Sequence, residues 1–289
     1  MKLYERQFLG TEEHTPDYDS ARFIVLPFPY EGGVSYGKGT AQAPDAVLDA
    51  SPYLELYDEV LDIEPFKAGI ATVPPPDMGS SPEEMIESVY RSTRALISDD
   101  KFIVLLGGDH SISSGYVRAL VEKYSSLGVV QFDAHSDLRD EYEGSPLSHA
   151  SVMARIREMT TDTLQIGIRS MSAGEAALVK REHLALCTMD AFRRGTFDID
   201  AAINALPDDV FITFDVDAFD WSVVRSTGTP EPGGFSWDES MDLLQKIFAR
   251  KNVVGCDVVE LSYAPHDPNS PFAVAKLIHK MMGYKIINN

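Results

Sequence analysis

Cysteine is scarce in this chain, with only Cys187 and Cys256 among 289 residues. Both lie in apolar stretches, so we expect buried small side chains and neither a disulfide framework nor a thiolate zinc site. Long hydrophobic runs are also missing, and the first residues lack a signal-peptide core. These absences argue against a membrane-spanning helix, and we expect a cytoplasmic protein with no membrane partner.

Positive charge is scarce as well. The chain has 25 lysines and arginines against 45 aspartates and glutamates, which gives a formal net charge of −20. Such a surface repels phosphate, which argues against a nucleic-acid partner. It suits a small cationic substrate, which the field of an acidic protein attracts at low ionic strength.

Apolar, β-branched runs alternate with amphipathic segments along the whole sequence. Their continuous hydrophobicity is typical of strands that are buried on both faces of a parallel sheet. Strands are predicted at residues 23–26, 102–106, 128–132, 164–168, 210–214 and 253–258. Helices are predicted near 83–97, 112–124, 149–159, 173–183, 237–250 and 271–283, with Ser81 and Ser236 as helix caps. This order predicts an α/β fold, a three-layer αβα sandwich around a mainly parallel sheet, in one domain that spans residues 1–289.

Three polar blocks each follow a predicted strand directly. They are residues 107–111 (GGDHS), 132–137 (FDAHSD) and 214–220 (FDVDAFD). In parallel sheets, ligands bind beyond the carboxyl ends of the strands, so the three blocks are expected at one edge. Several carboxylates together at the end of apolar strands are costly to bury unless cations neutralise them. The blocks therefore predict a metal centre.

The spacing within the blocks supports this prediction. Asp133, His135 and Asp137 alternate, as do Asp215 and Asp217, so an extended chain presents each set on one side. Carboxylates with a minority of imidazoles suit manganese or a similar ion. The four aspartates of these two sets carry four negative charges, which two divalent ions would balance.

The remaining polar residues of interest are expected to have ordinary roles. Asp109 and Asp220 are predicted to hold backbone amides in the turns that contain them. The histidines outside the blocks match no motif, and we expect them in loops or at the surface: His14, His183, His266 and His279.

The three blocks, followed by residues 228–234 (GTPEPGG), resemble the motifs of the ureohydrolases, the family of arginase and agmatinase. The resemblance covers nearly the whole chain. It implies an arginase-like fold, a homo-trimer or homo-hexamer, and hydrolysis of a guanidino compound to urea by a hydroxide that bridges two Mn²⁺ ions, with Co²⁺ as a possible substitute.

The resemblance also assigns roles to individual residues. One ion would be bound by His110, Asp133, Asp137 and Asp215, and the other by Asp133, His135, Asp215 and Asp217. Asp137 would carry a proton from the hydroxide to the leaving amine. Glu260 would pair with the guanidinium group, for which a carboxylate is suited because it accepts two parallel N–H bonds. His149 would shuttle protons at the mouth of the pocket, which suits an imidazole that titrates near neutrality.

More than one substrate is consistent with the sequence. Residues 142–149 resemble bacterial agmatinases, which favours agmatine as the substrate, putrescine and urea as products, and a role in polyamine biosynthesis. Arg225, however, replaces a proline of many agmatinases. It either binds a substrate carboxylate, repels a cationic tail, or faces solvent or a neighbouring subunit. Trp221 is either a packing residue or a lid. The alternatives are 4-guanidinobutyrate, N1-aminopropylagmatine or formiminoglutamate as substrate, or an inactive homologue that acts as a regulatory binding protein.

Overall fold

A single parallel sheet organises the chain in the computed structural model, which describes residues 1–10 and 17–288. Its eight strands within those ranges lie in the order β2-β1-β3-β8-β7-β4-β5-β6, and every neighbouring pair is parallel. The strands are β1 (Phe23–Phe28), β2 (Ile70–Thr72), β3 (Phe102–Gly107), β4 (Gly128–Phe132), β5 (Thr163–Ile168), β6 (Ala185–Thr188), β7 (Asp209–Asp215) and β8 (Asn252–Val259).

Helices cover both faces of this sheet. They are α1 (Ala43–Ala50), α2 (Pro82–Ser98), α3 (Ser113–Lys123), α4 (Val152–Arg157), α5 (Ala173–Glu182), α6 (Met189–Arg194), α7 (Ile199–Ala205), α8 (Trp237–Arg250) and α9 (Asn269–Ile287). Successive residues of a strand face opposite sides. In β1, Phe23 and Val25 pack in one apolar cluster with α1, α8 and α9, whereas Ile24 and Leu26 pack in another with α2, α3 and α4. The predicted three-layer αβα sandwich is therefore confirmed.

The predicted elements are confirmed where the apolar pattern is long. All six predicted strands form, and Ser81 and Ser236 accept hydrogen bonds from Glu84 and Glu239 at the starts of α2 and α8. The short elements β2, β6, α1, α6 and α7 were not predicted, because three to eight residues give too little periodicity to identify. Helix α4 is shorter than predicted, since a 3₁₀ turn forms at His149–Ser151. Both cysteines are buried and free, as expected.

The order of the strands positions the polar blocks. Strands β3, β8, β7 and β4 are consecutive neighbours at the centre of the sheet. Their carboxyl ends lie at the same edge because the strands are parallel, so the segments after residues 107, 132, 215 and 259 converge there. No helix in the described part of the chain combines the length and apolar character that crossing a bilayer requires.

One histidine contradicts the sequence-based expectation. His279 is fully buried in α9, although we expected it in a loop or at the surface. The long apolar helix α9 has a mostly buried surface, so even its polar positions face the protein interior. Burial, together with the charge of Lys276, lowers the pKa of His279 to about 4. His183 and His266 are exposed as expected, and His14 lies outside the described residues.

Replacement of His279 by leucine should make stability less sensitive to acid. Histidine in an unfolded chain has a pKa of 6.5, whereas the pKa of buried His279 is about 4. Between these values the unfolded state binds the additional proton, so the wild type loses on the order of 3 kcal/mol as the pH falls from 6.5 to 4. Urea denaturation of both metal-free proteins at pH 7 and pH 5 measures the part of this loss that falls in that interval, about 2 kcal/mol. Equal losses in the two proteins would contradict the prediction.

Candidate metal centre

His110, from the first polar block, lies in direct contact with two aspartates of the second block. This residue begins a 3₁₀ turn immediately after β3 and is buried. Its Nδ1 atom lies 3.1 Å from Asp133 Oδ2 and 3.1 Å from Asp137 Oδ2. Ligand atoms of His110, Asp133 and Asp137 all lie within 4.8 Å of one another, as the ligands of a single metal ion must.

A second set of ligand atoms joins the second and third blocks. His135 Nδ1 lies 2.9 Å from Asp217 Oδ2 and 3.6 Å from Asp133 Oδ1. Asp133, His135 and Asp217 thus form another potential three-ligand site. Asp133 belongs to both sets and contributes a different carboxylate oxygen to each, which is the arrangement expected of a ligand between two ions.

Asp215 is close to these sets without belonging to either. Its Oδ2 atom lies 3.5 Å from His110 Nδ1, and its Oδ1 atom accepts the backbone N–H of Asp217. Five of the six sequence-predicted ligands are therefore members of the two sets, and the sixth lies beside them.

The charges of the site are not balanced by protein groups. Burial and the neighbouring carboxylates raise the pKa of Asp215 and Asp217, and burial and Asp133 raise the pKa of Asp137 to about 7. Burial would lower the pKa of His135, but the charges of Asp217 and Asp133 raise it to about 12. These carboxylates resist ionisation, and the imidazole beside them retains its proton. Both effects indicate a site that requires positive charge.

Two buried atoms at the site also lack hydrogen-bond partners. Within the described residues, no group forms a hydrogen bond of acceptable geometry with His110 Nδ1 or Asp217 Oδ2. Each of these atoms belongs to one of the two potential metal sites. Orphaned polar atoms are rare in protein interiors, and a metal ion would satisfy both. The donor set and these two atoms therefore fit a pair of oxygen-preferring divalent ions.

Polar residues inside the strands orient the ligands. His110 Nε2 lies 2.8 Å from Thr213 Oγ1, and the Thr213 hydroxyl donates to Asp257 Oδ1 at 2.7 Å. Gln131 Nε2 donates to Asp133 Oδ2 at 2.6 Å. Sequence analysis missed Thr213, Asp257 and Gln131. The sequence nevertheless indicates these three residues, because each is a polar residue within an otherwise apolar strand.

Glu260 and His149 lie next to this centre. The Glu260 Oε1 atom accepts the backbone N–H of His110 at 2.8 Å and lies 3.4 Å from His149 Nδ1. On its other side, His149 Nε2 lies 3.1 Å from Ser35 Oγ. Burial would lower the pKa of His149, but the hydrogen bond and charge of Glu260 raise it to about 9. His149 is therefore predominantly protonated at pH 7, instead of titrating near neutrality.

The loop after the third block contacts the site through Thr227. The Thr227 hydroxyl donates to the Glu260 carbonyl at 3.0 Å. Arg225 has an exposed side chain, and its backbone N–H donates to Ser270 Oγ. Trp221 is half-exposed. Asp220 accepts the N–H of Ser222, consistent with its expected role in a turn.

Asp109 also holds backbone amides, as expected. It accepts the N–H groups of Ser111 and Gly33, at 3.0 Å and 2.7 Å. The bond to Gly33 ties the 31–39 loop to the end of β3. Both non-ligand aspartates of the blocks therefore stabilise loops around the centre.

Comparison with known proteins shows similarity over nearly the whole chain. The model of the arginase family matches residues 21–283. The chain is 39% identical to the N(1)-aminopropylagmatine ureohydrolase of a Synechocystis species, over 96% of this chain and 94% of that protein. It is 32% identical to the agmatinase of Pyrococcus horikoshii, over 98% and 99%. The solved structure of the agmatine ureohydrolase of Thermoplasma volcanium superposes with a TM-score of 0.87 at 28% identity, covering 98% of this chain and 95% of that one.

Replacement of Thr213 by valine should weaken metal binding without unfolding the protein. Valine has a similar shape but cannot hydrogen-bond His110 Nε2, so the imidazole loses the contact that orients it. Loss of an outer contact of this kind typically lowers metal affinity by about 10- to 100-fold. Titration of metal-free protein with Mn²⁺ measures the change. Thr93→Val is the control, because the buried Thr93 hydroxyl donates to carbonyl groups of its own helix, α2. Equal affinities of the two variants would refute the prediction.

Proposed function

Because this chain belongs to the arginase family, whose ureohydrolases cleave a C–N bond of an amidine, we propose that it hydrolyses agmatine to putrescine and urea. The observation that carries the proposal is the position of Glu260. Its carboxylate lies directly beside a pair of potential metal sites, bonded to the backbone of His110. A guanidinium group held there would have its carbon close to the centre.

We propose that two Mn²⁺ ions occupy the centre, with Co²⁺ as a possible substitute. His110, Asp133, Asp137 and Asp215 would bind one, and Asp133, His135, Asp215 and Asp217 the other. Support comes from the shared Asp133 and from the unpartnered His110 and Asp217 atoms. Ions bound there would lower the pKa of a water molecule and so supply a nucleophile near neutral pH.

Glu260 would bind and orient the guanidinium group. Its Oε1 atom is already engaged with the His110 amide, which fixes the plane of the carboxylate. The Oε2 atom lies beside Gly228, where even a Cβ atom would stand 3.5 Å away. A glycine at this position leaves space on that side of the carboxylate. Gly228 therefore has no side chain that could block a guanidinium N–H from Oε2.

Two further residues would move the protons of the reaction. Asp137 would accept a proton from the nucleophile and pass it to the leaving amine, since its carboxylate lies beside His110 within the first metal set. His149 would donate a proton at the mouth of the site, because its pKa of about 9 keeps it protonated at neutral pH. The 3.4 Å separation of His149 Nδ1 and Glu260 Oε1 supports this role, because Glu260 is the residue proposed to bind the guanidinium group.

N1-aminopropylagmatine is the second candidate substrate. The proteins of that name from Synechocystis and Thermus thermophilus are 39% and 36% identical to this chain. Agmatine and its aminopropyl derivative both have cationic tails, which the net charge of −20 favours. Anionic tails, as in 4-guanidinobutyrate, would need a cation at the far end of the substrate, away from Glu260. Arg225 provides no support for this, because its side chain is exposed and the neighbouring Thr227 makes the contact to Glu260.

We further propose that residues 1–289 form one ureohydrolase domain. The single sheet and the family match over residues 21–283 support this. Assembly into a homo-trimer or homo-hexamer, a cytoplasmic location and a role in polyamine biosynthesis are also proposed.

Urea release from a panel of guanidines tests the proposed function. Manganese-loaded protein should release urea from agmatine or N1-aminopropylagmatine, with a higher kcat/KM than for arginine or 4-guanidinobutyrate. Preference for 4-guanidinobutyrate would contradict the cationic tail. Absence of urea from every compound would refute the proposed activity.

Replacement of Asp137 by asparagine should preserve the fold and abolish most turnover. The amide retains the shape of the side chain but cannot carry the ligand charge or accept a proton. General acid–base groups contribute about 10²- to 10⁴-fold to rate, so we expect kcat to fall by at least about 100-fold. Asp140→Asn is the control, because Asp140 is an exposed neighbour paired with Arg155. A kcat close to that of the control would remove Asp137 from this role.

A further inference from the structure

The backbone of Asp137 adopts a conformation that needs external support. Its φ angle is 51°, in the left-handed region that residues other than glycine rarely occupy. The Asp137 carbonyl accepts the N–H groups of Met153 and Ala154, at 3.0 Å and 3.2 Å. These bonds tie the residue to the start of α4. They do not by themselves fix the direction of the side chain, which also depends on the residues on either side.

A buried glutamate holds both of those neighbours. Glu175 Oε1 accepts the Ser136 hydroxyl at 2.7 Å and the Leu138 backbone N–H at 3.0 Å. Glu175 is 6% exposed, so these bonds are shielded from water. A single carboxylate oxygen therefore clamps the chain immediately before and immediately after Asp137.

The other oxygen of Glu175 is fixed by helix α5. Glu175 Oε2 accepts the N–H of Ser172 at 2.7 Å, and the Ser172 hydroxyl accepts the N–H of Glu175. This reciprocal capping box anchors the carboxylate at the start of α5. Burial would raise the pKa of Glu175, but the bonds from Ser172, Ser136 and Leu138 outweigh it and lower the pKa. The group is thus a fixed negative charge that accepts three hydrogen bonds.

We propose that Glu175 is a positioning residue that holds Asp137 in the orientation required of a metal ligand and proton acceptor. The proposal rests on the proposed function for the role of Asp137, but its effect on metal binding is independent of turnover. Since Asp137 belongs to only one of the two metal sets, loss of Glu175 should weaken one Mn²⁺ ion selectively.

The chain contains a matched control for the capping role. Glu239 forms the same reciprocal capping box with Ser236 at the start of α8. Each glutamate also has a distant arginine, with Arg139 Nε 3.8 Å from Glu175 and Arg193 Nε 3.9 Å from Glu239. Glu239 makes no hydrogen bond to a metal-site segment among those found for the described residues. Glu239→Ala therefore removes a helix cap without releasing Asp137.

The experiment compares Glu175→Ala, Glu239→Ala and the wild type. Binding of Mn²⁺ to the metal-free proteins is followed by electron paramagnetic resonance of the free ion. In Glu175→Ala, one of the two ions should bind about 10- to 100-fold more weakly, as is typical when an outer partner of a metal site is lost. At saturating Mn²⁺, kcat should fall while KM for the guanidine changes little. Glu239→Ala should retain the wild-type affinity, kcat and KM.

Ser136→Ala provides a second test that leaves the capping box of α5 intact. It removes one of the two hydrogen bonds that link Glu175 to the Asp137 segment, so it should weaken the same Mn²⁺ ion in a protein that still folds. If Glu175→Ala does not fold, this variant decides the question, and wild-type affinity in Ser136→Ala would overturn the proposal.

The outcomes separate this proposal from the proposed function. Wild-type Mn²⁺ affinity in Glu175→Ala, or a loss no larger than that in Glu239→Ala, would overturn the positioning role even if the wild type releases urea. If one ion binds more weakly in Glu175→Ala while the wild type releases no urea from any guanidine, the positioning role is supported and the proposed activity is refuted.

Discussion

The cost of burying several carboxylates at one point is the constraint on which this structure depends. Asp133, Asp137, Asp215 and Asp217 lie together at the carboxyl ends of apolar strands, with the imidazoles of His110 and His135 between them. Without added cations the carboxylates have raised pKa values, except for Asp133, which has two adjacent histidines. The fold thus creates an electrostatic deficit that bound metal ions would relieve, so metal binding and stability should be coupled.

The parallel sheet makes this concentration of charge possible. Strands β3, β8, β7 and β4 are neighbours, although their sequence positions extend from Phe102 to Val259. Each contributes side chains at its carboxyl end, where the hydrogen-bonded ladder ends and the chain can turn. Polar residues one or two positions before the end of a strand, such as Thr213 and Gln131, form hydrogen bonds with the candidate ligands from within the sheet. The core and the site are therefore parts of the same strands.

This arrangement could be predicted from the sequence where long apolar strands are interrupted by polar blocks. The polar blocks could be located because each interrupts a long apolar strand, and their ligand spacing follows the alternation of extended chain. Glu175 could not be found in this way, because its partners Ser136 and Leu138 lie 39 and 37 residues away. Its capping-box pattern indicates only a helix start. The burial of His279 was missed for a similar reason, since it depends on what packs around α9.

The role of Arg225 could not be decided from the sequence, and its exposure in the structure agrees with the interpretation that it faces solvent. A change of residue type within a loop indicates altered chemistry only if the side chain faces the pocket, and sequence does not give that direction. In the structure, the adjacent residues Ser226 and Thr227 are buried, while Arg225 is exposed. Ser226 is held by Asp267, and Thr227 by the Glu260 carbonyl. These contacts fix the loop against Glu260.

The loops around the site share one means of support, a carboxylate that accepts backbone or hydroxyl hydrogen bonds. Glu31 accepts the N–H groups of Gly39 and Ala41, Asp109 accepts that of Gly33, and Asp267 accepts the hydroxyls of Ser226 and Ser270. Part of the large negative charge of the chain is therefore structural. The candidate metal centre is set by strand ends. On the proposed function, discrimination between guanidines at the far end of the substrate would fall to these loops, whose positions depend on Glu31, Asp109 and Asp267.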